Sequence, residues 1–445
     1  MKAENPSILK GFIPWETDLI KATFQCRPNR FVVECALDGQ SILAHLPNPG
    51  RLWELLLPGA TVILAKRGIV SSGGLAYSAV AVERDRVPIL LHTQMSNRVV
   101  RYLLEANRVP GLEGVEIVKA EATVGHSRFD FHLRQGSRDI LCEVKSCTLF
   151  GNALAMFPDA VTQRGRRHLL ELAELSDRGF DCVVIYLIHW SGARCFLPDF
   201  HTDPDFSRVF REVRNKVRFC PLAVGWSPSL RLLGPVREVA IPWPVLEQED
   251  HNRGNYLLIL HLSRDHAVSV GALGSVFFRS GYYIYVGSAK KNLAQRINRH
   301  LRKRKQLFWH IDYLREVADT CHAVTIRSSV NLEHDLADEL WNIASWRISG
   351  FGSSDCRCSS HLFGMEKHPL KNRAFIDLIQ HYRMDRLEEM GIVDETGSFR
   401  WKRPNIREML PDDNEAIEKG GAKTPPLDHE RPSPAIKPAA EKRRY

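Results

Sequence analysis

Short runs dominated by apolar and β-branched residues, Phe31–Leu37, Ser41–Leu46, Thr61–Lys66 and Ala76–Val82, are separated by polar residues or by Gly and Pro. Runs of that kind read as short β-strands, and short strands in close succession predict a small antiparallel β-barrel. Further on, helices enter. A helix is predicted at Asn97–Asn107, a hairpin within Val115–Val144, a long helix around Asp159–Leu175, a buried strand at Cys182–His189 and a helix near Asp205–Lys216. Pro235, Pro242 and Pro244 punctuate Pro228–Arg253, which predicts a connector. A second α/β region follows, with strands Tyr256–Leu262 and Tyr282–Val286 and helices Asn292–Arg304, Trp309–Ala318 and Asn331–Ile348. Pro411–Tyr445 is rich in Pro, Lys, Glu and Ala, which predicts a disordered tail. The expected divisions are residues 15–83, 84–230, a linker at 231–253, 254–386 and an extension at 387–445.

Composition narrows the class. Of 445 residues, 44% are hydrophobic and 25% charged, ordinary globular values that exclude wholesale disorder and fibrous repeats. The ten cysteines are scattered through a core-rich chain, the pattern of reduced thiols in a cytoplasm. No apolar run reaches the length of a secretory signal or a membrane span, so a soluble, cytoplasmic protein with no membrane partner is expected. The net charge of +9 is compatible with nucleic acid, but its meaning depends on where the charge lies.

The stretch Ser127–Lys145, SRFDFHLRQGSRDILCEVK, alternates on both sides of a two-residue turn, Gly136-Ser137. Counting outward from the turn, Asp130 falls opposite Glu143, with Lys145 on the same face and Phe129, Phe131, Cys142 and Val144 on the buried one. Two facing carboxylates repel unless a cation sits between them. Mg²⁺ (or Mn²⁺) suits them, and Lys145 beside it is placed to orient water or stabilise charge on a phosphate. The same spacing also suits a solvated charge cluster. Arg164 and His168 share a helix face and are candidates to hold a phosphate; His45, Asn48 and Arg51 lie in a Pro/Gly loop at the barrel edge, a candidate strand-binding loop or simply a turn.

These residues resemble the core of the PD-(D/E)xK nuclease superfamily and, more closely, the sugar fermentation stimulation protein (SfsA) family. The supporting stretches are HLPNPGR at His45–Arg51, SRFDF at Ser127–Phe131, EVKS at Glu143–Ser146 and FPDAVTQRGRRH at Phe157–His168. The resemblance covers about residues 15–230 and implies an OB-like barrel, a nuclease-like α/β domain, DNA binding and Mg²⁺-dependent phosphodiester chemistry at Asp130, Glu143 and Lys145, with Asp130 and Glu143 on the metal. Leu46 and Pro49 stand where family members usually carry Cys and Thr, and Gln163 replaces a common Glu.

In the second region, Gly281–Gly287 runs into the segment Ser288–Lys305, which holds eight Lys or Arg and no acid. On a helix Arg296, Arg299, His300 and Lys303 share one broad face, suited to a phosphate backbone or to plain solvation. The region resembles a GIY-YIG nuclease domain, in particular a GIY-YIG-like domain of uncharacterised function sometimes associated with endonuclease III. The matching pieces are Gly254–Tyr256, Tyr285–Gly287, Arg296, Trp309–Tyr313, Glu333 and Gly350–His361. The resemblance implies that Tyr256 and Tyr285 flank a phosphate, Arg296 stabilises its charge and Glu333 holds a metal. The intervening His261–Ser280 is a departure, either a harmless hairpin or a displacement of Tyr256. Cys356, Cys358 and His361 offer three zinc-type ligands with no fourth, and a cluster of reduced thiols is expected.

The expected fold class is thus α/β and α+β multidomain: OB-like barrel, PD-(D/E)xK nuclease-like domain, GIY-YIG-like domain and disordered tail. The expected function is DNA binding (possibly RNA) with metal-dependent phosphodiester hydrolysis; the alternative is a non-catalytic DNA-binding regulator of genes for sugar metabolism of the maltose type.

Overall fold

The computed structural model describes residues 7–8, 12, 14–15, 18–68, 74–125, 127–393 and 399–401. The expected disordered tail lies outside them.

Strands Leu19–Asn29, Val32–Leu37, Gln40–His45, Thr61–Lys66 and Tyr77–Arg84 form the barrel, and Val87–Leu90 extends it. Their pairings are antiparallel except where Ala44 meets Tyr77 and His45 meets Ser78, the parallel contact that closes the barrel. Closure removes the sheet edge that would otherwise expose unpaired amides. The first strand carries little signal in the sequence, because only Ala22 and Phe24 along it are buried and polar residues interrupt it.

A seven-stranded sheet follows. Its central strand Asp181–Ile188 runs parallel to Arg138–Cys147 on one side and to Arg218–Trp226 on the other. Because helices cover both faces, this strand is buried from Cys182 onward, which is why it reads as a continuous apolar run. Helix Met95–Glu105 packs Val99, Val100 and Leu103 on one face with Ile140, Cys142 and Val144. Helices Gln163–Ser176 and Pro204–Glu212 pack Leu169, Leu172, Phe206 and Phe210 on the other with Leu141, Val184 and Tyr186.

Residues 231–253 are not a free linker. Leu232–Glu238 pairs antiparallel with Arg218–Trp226, and Trp243–Glu249 is a helix whose Trp243 stacks on Phe210 at 5.4 Å. The prolines misled because they occupy places that tolerate them. Pro235 sits near the sheet edge, and Pro242 and Pro244 stand at a helix start, where no intrahelical N–H bond is lost.

The third region is a five-stranded antiparallel sheet ordered Thr320–Arg327, Gly254–Leu262, Gly281–Ala289, Leu362–Met365, Trp346–Arg347. Its central pair is in register from Gly254 opposite Ala289 to Leu262 opposite Gly281. The insertion forms its own small hairpin, His266–Ser269 with Ser275–Phe278, and leaves Tyr256 in the central sheet. Helices Leu293–Leu301 and His310–Val317 cover one face, and Glu333–Ile343 and Arg373–Gln380 the other. Among the described residues no helix is long and apolar enough to cross a membrane.

Buried ions lock the regions together. Arg383, beyond the last long helix, donates to both oxygens of Asp199 at 2.9 and 3.0 Å and to Thr202 at 2.6 Å. Arg51 of the barrel loop donates to the same Thr202 at 2.6 Å and lies 3.9 Å from Asp199. Nδ1 of His201 accepts from the Arg327 amide at 2.9 Å, so its Nε2–H is free to donate to the Arg383 carbonyl at 2.8 Å. Burial holds that imidazole neutral, well below its ordinary pKa. Arg386 reaches Glu249 at 2.9 Å, and Glu388 accepts from the amides of Ala153 and Leu154 at 2.6 Å each.

Burial alone would raise the Asp199 carboxyl, but the Arg383 and Arg51 guanidiniums, with a hydrogen bond from Thr202, hold it below the usual range. Arg383→Ala strands that charge and should cost about 3–5 kcal/mol of stability, read by denaturant unfolding. Because the folded pKa is depressed, the stabilisation from Asp199 is complete above the unfolded value of about pH 4 and fades as pH falls below it. An Arg383→Ala protein as stable as the parent, with the same acid sensitivity, would remove the pair from this role.

Candidate functional site

The Gly136-Ser137 turn, with Gly136 at φ +60°, sets the expected register: Gln135 opposite Arg138, through to Phe131 opposite Cys142. There the ladder ends, one step short of Asp130 and Glu143. The Val144 amide instead donates to the Asp130 carboxylate at 2.7 Å, and Asn97 donates to its other oxygen at 2.6 Å. As the strands part, Phe129 leaves the cluster of Phe131, Cys142 and Val144 and joins the opposite one, its ring 6.2 Å from that of His168. The expectation that all four share one face is corrected accordingly.

Glu143 is 4% exposed. One of its oxygens receives Lys145 Nζ and, at 2.7 Å, His168 Nδ1. Arg164 Nε donates to His168 Nε2 at 3.3 Å, which leaves the imidazole proton on Nδ1, facing Glu143. His168 is therefore buried and committed to Glu143 rather than aimed at a phosphate. Burial raises the Glu143 carboxyl, but His168 and Lys145 outweigh it and the carboxyl settles below its ordinary pKa. Asp130 moves the other way: burial and the charge of Glu143 raise it, and the Val144 amide, Lys145 and Asn97 recover only part.

The second Glu143 oxygen, Oε2, is buried with no hydrogen-bond partner. Leaving a charged acceptor bare costs more than the ~1–3 kcal/mol of a neutral group, and a hard cation shared with Asp130 would remove that cost. The donor set therefore fits a divalent ion. Lys145 and Arg164 line a cleft of about 670 Å³, whose far wall is the barrel loop at Asn48, Pro49 and Gly50.

That loop is held by internal bonds. Asn48 is buried, donating to the Leu91 carbonyl at 3.1 Å and accepting from the Gly50 amide at 2.9 Å. Arg51 donates to the Asp159 carbonyl at 2.5 Å and lies over the Trp53 ring at 4.3 Å, while His45 faces Ser78 at 3.2 Å. Asn48 lines the cleft, and these bonds leave Asn48 and Arg51 little to offer a ligand. Arg164 remains exposed.

A second cleft, of about 400 Å³, gathers Tyr256, Tyr285, Arg296, His300, His310 and Glu333. Gly287 is required here: a Cβ on it would lie 2.5 Å from the Tyr256 hydroxyl. Tyr256 Oη lies 3.0 Å from His300 Nε2, Arg296 donates to the Ser288 carbonyl at 3.0 Å, and Ser288 Oγ donates to Glu333 at 2.5 Å. Burial pushes both tyrosine hydroxyls well above their ordinary pKa, so neither is a ready phenolate. Glu333, raised by burial, is brought below its usual value by His361 and Ser288. The basic helix is less free than its spacing suggested. Arg299 grips the fully buried Asp312 at 2.9 and 3.1 Å, Lys305 joins at 2.9 Å, and His300 is buried. Of the three nucleic-acid candidates there, Lys303 alone is exposed.

Residues 26–91 match the family described as the SfsA N-terminal OB domain, residues 94–229 the sugar fermentation stimulation protein RE domain, and residues 255–384 the domain of unknown function DUF123. A sugar fermentation stimulation protein homolog of Methanothermobacter thermautotrophicus is 37% identical over 229 residues, covering 51% of this chain and 94% of that protein. One from Moorella thermoacetica is 41% identical over 196 residues, covering 44% and 84% respectively. Among solved structures, that of Pyrococcus furiosus SfsA in complex with Ca²⁺ shares 26% sequence identity with a TM-score of 0.47, over 50% of this chain and 96% of that one.

His168 was placed by spacing on the right helix face, but Asn97 carried no local signal, since it comes from a different helix. Removing the His168 proton donor should raise the Glu143 pKa. In His168→Ala the affinity for Mg²⁺ or Mn²⁺, measured by titration calorimetry, should fall about 10- to 100-fold. On acidification binding should also be lost at a higher pH than in the parent. An unchanged affinity with an unchanged pH profile would show that His168 does not position the carboxylate.

Proposed function

This chain belongs to the sugar fermentation stimulation protein family, and we propose that it is a nucleic-acid-binding protein that hydrolyses phosphodiester bonds at the Asp130, Glu143 and Lys145 site. One observation carries the reading: a buried carboxylate oxygen without a partner, Glu143 Oε2, beside the raised carboxyl of Asp130, on a glutamate whose other oxygen holds Lys145, and Lys145 lines the cleft together with Arg164.

Asp130 and Glu143 would hold Mg²⁺ or Mn²⁺, which when bound supplies Lewis-acid stabilisation and an activated water. The side chains do the rest. Lys145 Nζ sits on Glu143 at the cleft wall, placed to hold a phosphate oxygen or orient water. His168 holds Glu143 in one orientation, and Asn97 does the same for Asp130. Arg164, exposed on the cleft rim, contributes a phosphate contact. The OB barrel forms the facing wall, which suits an extended strand of DNA or RNA lying between the two domains.

The second cleft supports a parallel reading. Tyr256 and Tyr285 would flank a phosphate, Arg296 would offset its charge, and Glu333 would hold a single ion. His300 is the group placed to take the Tyr256 proton, since burial keeps it neutral.

The test uses the full-length chain with single- and double-stranded DNA and with RNA, with and without Mg²⁺ or Mn²⁺. Metal-dependent cleavage is expected, and it should fall at least about a hundredfold in Asp130→Asn with Glu143→Gln while binding persists. Cleavage that survives that double change sinks the mechanism. Binding without cutting under any cation would leave the chain a non-catalytic binder, the behaviour expected of a regulator of sugar-metabolism genes. Arg296→Ala with Glu333→Gln separates the clefts: unchanged cutting and binding would assign all activity to the first.

A further inference from the structure

The three zinc-type ligands expected in the loop before Leu362 acquire a fourth in the folded chain. His334, the second residue of helix Glu333–Ile343, brings Nδ1 to 3.1 Å from Cys358 Sγ, and Cys356 Sγ lies 3.4 Å from His361 Nε2. One ligand atom from each of the four side chains lies within 4.8 Å of all the others. Four ligands around one zinc, at Zn–S of about 2.3 Å and Zn–N of about 2.0–2.1 Å, stand about 3.3–3.8 Å apart at the corners of a tetrahedron. The observed spacings need only small side-chain adjustment to meet those edges. We propose that His334, Cys356, Cys358 and His361 form a closed structural zinc site that staples the loop 349–361 to the helix bearing Glu333.

The chemistry of the donors selects the metal. Two thiolates and two imidazoles are soft and borderline ligands that suit Zn²⁺ and disfavour Mg²⁺ or Ca²⁺. Two thiolates also neutralise the dication, so a half-buried site gains no net charge. With all four positions taken by protein, no place remains for a reacting water, which makes the site structural.

The surroundings give the staple a purpose. The loop 349–361 has no regular secondary structure and is pinned by few backbone bonds, Gly350 N to Ser359 O at 2.9 Å and His361 N to Phe351 O at 2.8 Å among them. Gly352, Ser354 and Asp355 from this loop line the second cleft. The other nitrogen of His361, Nδ1, lies 3.3 Å from the Glu333 carboxylate. Metal on Nε2 would fix the proton on Nδ1, facing Glu333, in the carboxylate–histidine–metal arrangement common around zinc. The ion would thus hold both the loop and Glu333 in place. The proposal rests on the four side chains alone and stands whether or not either cleft cuts nucleic acid.

Elemental analysis of the full-length chain, purified without chelator, should find about one zinc per chain. Exchange for Co²⁺ should give the visible d–d bands of a tetrahedral site together with thiolate-to-cobalt charge transfer. Cys356→Ser with Cys358→Ser should lose both metal and spectrum. Should that variant fail to fold, His334→Cys keeps four ligands, and its charge-transfer intensity should rise about 1.5-fold, as three thiolates replace two. Absence of zinc together with a Cys356–Cys358 disulfide would overturn the proposal. So would a cobalt spectrum without thiolate bands, or one unchanged by His334→Cys.

Discussion

A fully buried carboxylate must be neutralised where it stands, and Asp199 is neutralised by groups from distant parts of the chain. Arg383 arrives from the end of the third region and Arg51 from the barrel loop, and the backbone amides of His201 and Thr202, just after Asp199 itself, donate to its carboxylate. A buried pair of this kind adds little net stability over an apolar contact, yet losing one partner is costly. What the network provides is placement. It sets the barrel loop opposite the carboxylate hairpin, so the wall made by Asn48–Gly50 and the wall made by Lys145 and Arg164 face one another across a single cleft.

The same rule separates structural from functional carboxylates. Asp312 is as buried as Asp199 and is satisfied on both oxygens, by Arg299, by Lys305 and by the amides of Phe308 and Trp309. These donors overcome its burial and hold it far below the usual range. Nothing remains for a ligand to do there. Glu143 differs in a single atom: Lys145 and His168 converge on Oε1, and Oε2 is left bare. Buried carboxylates in one protein, governed by one physical requirement, are thereby sorted into a folding device and a candidate metal ligand.

What could be read along the chain was whatever is encoded locally. Gly136-Ser137 carries its own turn geometry, so the hairpin register followed by counting, and the apolar run at Cys182–His189 announced a strand buried on both faces. The reading failed where distant partners decide. Asp130 leaves the ladder because the Val144 amide offers it a better bond, and Phe129 turns with it. Pro235, Pro242 and Pro244 looked like breakers because the sheet edge and the helix start that accommodate them exist only after folding. His334 could not be joined to Cys356, Cys358 and His361 by spacing, since a helix and two strands of the third sheet determine that meeting.

Charge shows the same division between count and placement. Helical spacing put Arg296, Arg299, His300 and Lys303 on one broad face, and that face packs against helix His310–Val317, whose Asp312 draws in Arg299 and Lys305. The positive charge left to meet a phosphate backbone is the remainder: Lys290, Lys291, Arg302, Lys303 and Arg304 around the second cleft's helix, and Arg164 and Arg167 beside the first. Basic residues already paired with buried acids release few counterions on binding, so they contribute little to affinity for nucleic acid. Any affinity for a phosphate backbone would rest on the exposed remainder. The net charge of +9 therefore says little by itself, because it counts paired and unpaired residues alike.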